Sequence, residues 1–121
     1  MAQKRAMSTE DLMKVLSSIA DAVVRLDGQA KYISMNQAAE NKFIHLGHDP
    51  ETMMGHSVWK LFPELMGTMA ERELRRVLED ESPIQHEIYY PADQRWYEIQ
   101  GFPSSPGAIF IFRDITARKA E

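Results

Sequence analysis

The chain has 121 residues, the length of one domain, with a net charge of −4 that argues against a phosphate-binding surface. It has no cysteine, which excludes disulfides, thiolate nucleophiles and iron–sulfur clusters together. No run reaches the roughly 20 apolar residues of a membrane helix, and the N-terminus MAQKRAMSTE lacks a signal core, so a cytoplasmic domain with no nucleic-acid or membrane contact is expected.

In chain order, residues 1–8 read as a disordered or extraneous leader. Residues 8–19 read as an amphipathic helix capped by Ser8 or Thr9. Leu12, Met13, Val15, Leu16 and Ile19 form its apolar stripe, suited to packing on its own sheet or docking onto a second copy. Two strands follow, AVVRLD and KYISM, joined by a turn in which Gly28 is expected to supply the positive φ. Asn36 caps the helix QAAENKFIHL, which stops at Gly47. Asp49-Pro50 opens a short helix, and SVWKLF forms another before Pro63.

Thr68 and Glu71 predict a capping box for the longest helix, 68–81. Its expected apolar face is Met69, Leu74, Val77 and Leu78. Glu71, Arg72, Glu73, Arg75, Arg76 and Glu79 make a solvated face, with Glu71–Arg75 as an i,i+4 pair. Three strands finish the domain: IQHEIYY, RWYEIQGF after PADQ, and AIFIFRD after SSPG. Hairpins around a helical insert predict an α+β domain, a five-stranded antiparallel sheet with helices over one face and the N-terminal amphipathic helix added.

Catalytic signatures are missing. There is no glycine-rich phosphate loop and no nucleophile elbow, so no catalytic residue is assigned and the chain is not read as an enzyme. His45, His48 and His56 cluster in sequence, but Gly47 interrupts the helix that would converge them. They are read as solvated loop residues, with no metal site. Met35, Met53, Met54, Met66 and Met69 suit either irregular core packing or an adaptable pocket lining.

The stretches IADAVVRLDGQAKYISMNQAAE, GHSVWKLFPEL, RWYEIQGFPS and IFIFRDITARKAE, in this order and spacing, resemble a PAS sensor domain over residues 10–120. The resemblance is to the type found upstream of bacterial histidine kinases and diguanylate cyclases. It implies a sensory module at residues 9–115, usually a homodimer, that binds a small molecule in its cup. The signal would pass through a helix begun at 116–121 to an attached effector. A ligand-free dimerisation module is the alternative.

Carried onto this chain, the family's pocket would be lined by Val24 and Leu26, by Tyr97, Ile99 and Gly101, and by Ala108, Phe110 and Phe112 on the strands. Phe43, Val58, Trp59, Leu61 and Phe62 would contribute from the helices, with the Trp59 N–H free to orient a ligand. Leu12, Met13, Leu16 and Ile19 would serve dimerisation.

The cofactor stays unassigned. Val58 stands where the light-sensing branch has its flavin-adduct cysteine. Residues 68–81 lack the axial histidine of the haem-binding branch, and non-covalent flavin stays open. Asp114, Thr116 and Arg118 would carry the output. Asp114 is expected to pair with Arg118 and Thr116 to cap the helix, in which Ala117 replaces the glutamate many members carry.

Overall fold

The computed structural model describes residues 21–104 and 107–120. The N-terminal helix, with Leu12, Met13, Leu16 and Ile19, and the leader 1–8 lie outside the described residues, as do Glu121 and part of the SSPG turn. Five strands form one antiparallel sheet in the order β2-β1-β5-β4-β3. They are β1 (Ala22–Leu26), β2 (Tyr32–Met35), β3 (Ile84–Tyr90), β4 (Arg95–Pro103) and β5 (Ala108–Asp114). Between β2 and β3 run α1 (Gln37–His45), α2 (Pro50–Met53), α3 (Val58–Leu61), a 3-10 turn (Pro63–Leu65) and α4 (Met69–Asp80). The last helix, α5 (Thr116–Lys119), follows β5.

The β1–β2 turn works differently from the expectation. Positive φ falls on buried Ala30 (64°), not on Gly28. The turn is organised by the Asp27 carboxylate, whose Oδ1 accepts from the amides of Gln29 (2.8 Å) and Lys31 (2.9 Å). Local side-chain acceptors of this kind offer the backbone an alternative to a glycine turn.

Asn36 caps α1, accepting from the Ala39 amide at 2.9 Å. The same oxygen accepts from Val23 N (2.9 Å), and its Nδ2 donates to the Asp21 carbonyl (2.9 Å). One buried amide thus starts the helix and fixes it against β1.

The outer edge of β2 is covered by the segment after α2. The Tyr32 amide donates to the His56 carbonyl (3.0 Å), Gly55 N donates to the Tyr32 carbonyl (2.9 Å), and Val58 N to the Ala30 carbonyl (2.9 Å). These bonds occupy an edge that would otherwise invite another strand, and they set α3 over the inner face of the sheet.

On α4 the expected faces are partly rotated. Ala70, Glu73, Leu74 and Val77 are buried, whereas Met69 is 43% exposed. Glu73, read from sequence as solvated, is held by Arg76 (3.2 Å) and by His86 of β3 (3.1 Å). The capping box is also altered. Thr68 makes no side-chain cap and donates instead to the Leu65 carbonyl (2.5 Å), while Glu71 reaches back to the Gly67 amide (2.7 Å). The Glu71–Arg75 pair forms at 2.8 Å.

Candidate functional site: an apolar cavity and the corner beyond it

A cavity of about 130 Å³ lies between the inner face of the sheet and the helices. Alternation along the strands aims Val24, Leu26, Tyr97, Ile99, Phe110 and Phe112 into it. Phe43 comes from α1, and Val58 and Phe62, four residues apart, face in from either end of α3. Phe43 is the hub of the aromatic packing, with ring centroids 5.7 Å from Tyr32, 5.8 Å from Phe62 and 5.9 Å from Phe112. Such tilted and edge-on pairs each add about 0.5–1.5 kcal/mol beyond area burial.

Four of the residues expected in the lining are elsewhere. Trp59 sits a quarter-turn round α3 from Val58, and the Arg75 guanidinium stacks on it at 4.6 Å. Leu61 is half-buried against the core, and Ala108 is fully buried further along β5. Gly101 faces inward, but the Phe110 ring lies so close that a Cβ there would stand 2.6 Å from it and 2.9 Å from Val77. The glycine makes room for Phe110, which supplies the wall. None of the five methionines singled out in the sequence lines the cavity; Met53 is fully buried and Met66 and Met69 are exposed.

The lining also contains residues that the sequence reading passed over. Ile88 and Tyr90 follow from the alternation already applied to β4, because Ile88 pairs with Tyr97 across the hairpin. Leu46, Leu65 and Ala70 come from helix ends and a turn whose rotation periodicity does not fix, and Leu74 from the apolar face expected of α4. Lys42 carries no apolar signal at all. Its stem lines the cavity, while Nζ pairs with Asp93 at 3.1 Å and sits 4.7 Å from the Tyr97 ring centroid.

Asp93, in the β3–β4 turn, also accepts from the Tyr97 hydroxyl and, through Oδ1, from the Arg95 amide (3.1 Å). A second tie joins the Tyr90 hydroxyl to Glu64 of the 3-10 turn. Burial, reinforced by these carboxylate contacts, pushes the Tyr97 and Tyr90 phenols well above the usual tyrosine range, so both act as neutral donors. The helices and the β3–β4 hairpin are thus joined by two polar ties beside an otherwise apolar chamber.

On the other face of β4 the chain turns into α5. The Ile115 amide donates to the Trp96 carbonyl (2.9 Å), and the Trp96 amide donates to Thr116 Oγ1 (2.9 Å). Thr116 therefore ties α5 to β4 and does not cap it. Ile115 holds the N-cap position with no side-chain cap, and Asp114, one residue before it, accepts from the Thr116 amide through Oδ1 (2.9 Å). The expected Asp114–Arg118 pair is replaced by two longer-range ones. Asp114 binds Arg95 (3.1 Å), while Arg118 and Lys119 both reach Glu87 on β3 (2.7 and 2.9 Å). Lys119 also lies over the Trp96 ring at 4.5 Å.

Desolvation alone would raise the Asp114 pKa. Hydrogen bonds from Thr116 and the charges of Arg95 and Lys42 outweigh it and hold the carboxyl below its usual range. Among the described residues no group of three or more His, Asp or Glu side chains is placed to hold a metal ion, and His48 instead stacks on Phe62 at 4.6 Å. Among them, too, no helix is long and apolar enough to cross a membrane.

A sheet of this order, cupped by short helices around a central cavity, defines a class of sensory domain. The family profile described as PAS fold matches residues 16–120, and the chain belongs to that family, whose members are generally regulatory sensor modules. Among solved structures it is similar to the PAS domain of a protein from Colwellia psychrerythraea, at 26% identity and a TM-score of 0.66, covering 90% of this chain and 98% of that one. A domain of an HTR-like protein from Haloarcula marismortui matches at 21% identity and TM-score 0.58, over 81% of this chain and all of that one. The sensor region of a sensor histidine kinase matches at 15% identity and TM-score 0.62, over 82% of this chain and 40% of the other. These last two likenesses concern the fold. Among curated proteins none matches.

Proposed function

We propose that this PAS domain is the cytoplasmic sensory module of a signalling protein, taking one small, largely apolar molecule into its cavity. Occupancy would be relayed through α5 to an effector attached beyond residues 116–121, a histidine kinase or diguanylate cyclase, within a homodimer. The observation that carries the reading is continuity. Phe110 and Phe112 line the cavity, and the same strand runs directly into Asp114 and Thr116 at the corner.

The volume supports a small ligand. About 130 Å³ is close to the ~150 Å³ engineered cavity that accepts one benzene, and well under the ~300–1,000 Å³ of pockets for drug-sized molecules. One ring fits, whereas a flavin or haem ring system exceeds the space. A ligand can shift the module only by its difference in affinity for two states, typically ~1–3 kcal/mol. The same small volume favours a second reading, a dimerisation module whose packed core takes no ligand.

A panel of monocyclic hydrocarbons and cyclic ketones screened by thermal shift, with mass spectrometry of the denatured domain's extract, separates the two. A ring-sized compound that raises the melting temperature or is released in stoichiometric amount supports sensing. A flat panel and an empty extract would leave dimerisation as the function.

A further inference from the structure

Four cavity-lining side chains end in polar groups: Tyr32, Lys42, Tyr90 and Tyr97. Three are engaged by carboxylates, Lys42 and Tyr97 by Asp93 and Tyr90 by Glu64. Among the described residues no hydrogen bond reaches the Tyr32 hydroxyl, although Tyr32 is only 5% exposed.

The side chain is firmly set. Its backbone is bonded on both sides to residues 55 and 56, and its ring packs edge-on against Phe43 at 5.7 Å. The hydroxyl keeps its accessible surface toward the cavity without a protein acceptor, so an acceptor on a ligand could take the place of water there, which phenylalanine would not allow. Burial, then the neighbouring Tyr90, pushes the phenol far above its usual range, so it remains a protonated donor.

The neighbouring charges decide what kind of acceptor suits this donor. Lys42 is the cation of the lining, and Asp93 already neutralises it at 3.1 Å. A carboxylate ligand would lose its hydration and meet the Asp93 charge at the rim. A neutral carbonyl oxygen meets neither obstacle.

We propose that Tyr32 is the specificity-determining donor of the cavity, and that its ligand class is a neutral, ring-sized molecule with one hydrogen-bond acceptor, such as a cyclic ketone. This rests on the reading that the cavity takes a ligand at all.

The test compares cyclohexanone with methylcyclohexane, matched in size, binding to the full chain and to Tyr32→Phe by ligand-detected NMR. The substitution should weaken cyclohexanone about tenfold, the upper range of a net neutral hydrogen bond. It should leave methylcyclohexane within about twofold, and should leave the ligand-free melting temperature unchanged or raised.

Equal cyclohexanone affinity in the two proteins would overturn the role of Tyr32, while hydrocarbon binding would keep the sensing reading alive. A lower ligand-free melting temperature in Tyr32→Phe would mean that the hydroxyl already serves the fold, and would also overturn it. Failure of both probes to bind at millimolar concentration would remove the sensing reading and this inference with it.

Discussion

Adjacent residues of β4 belong to two differently built regions. Tyr97 faces the cavity, where aromatic and aliphatic side chains make non-directional contacts and Gly101 yields space to Phe110. Trp96 faces the other way, where hydrogen bonds and ion pairs from Thr116, Lys119 and its neighbours fix the start of α5. An apolar wall reports volume, because it responds to whatever fills it. A polar corner reports geometry, because its bonds weaken steeply with distance and angle. One strand carrying both would give the proposed relay a short route from cavity to helix.

Substitutions that act on one region alone should separate these roles. The largest effect is expected for Gly101→Leu, which drives a side chain into Phe110 and Val77. Overpacking of this severity should destabilise the domain by about 3 kcal/mol or more in urea unfolding. A loss under about 1 kcal/mol would mean that the wall yields easily and the cavity is not a fixed volume.

Thr116→Val comes next. It removes the acceptor for the Trp96 amide and should cost about 1 kcal/mol. Amide exchange in 116–119 should accelerate while affinity for a cavity ligand stays unchanged, and uniform exchange rates across the corner would contradict its description as a polar clamp.

The smallest effect is a titration. Because the Asp114 pKa is depressed, its contribution to stability is fully present above the ordinary carboxyl value of 3.8 and is lost as pH falls through the lower folded value. In a Trp59→Phe background, Trp96 fluorescence should therefore hold steady from neutrality down to that value and change only below it. A transition centred near pH 5 would place another group in control.

Much of this was readable from sequence where the cause is local. Alternation along β4 and β5 found the inward residues, and Asn36 announced its helix. The failures share a different cause, a partner distant in the chain. Glu73 is buried because His86 of β3 meets it, Lys42 reaches the cavity because Asp93 holds its tip, and Thr116 leaves its cap role because a β4 amide needs an acceptor. Gly101 was read as a wall for want of knowing where the Phe110 ring lies. Periodicity reports which face a residue shares, and only the assembled sheet says what occupies it.

The central claim is that filling the cavity moves the corner. An amide NMR titration of the isotopically labelled chain with cyclohexanone addresses it directly. Saturable shifts should appear at Leu26, Phe43 and Phe110 around the cavity, and with the same midpoint at Trp96 and Thr116 on the far side of β4. Shifts confined to the cavity, with the corner unmoved at saturation, would contradict the account.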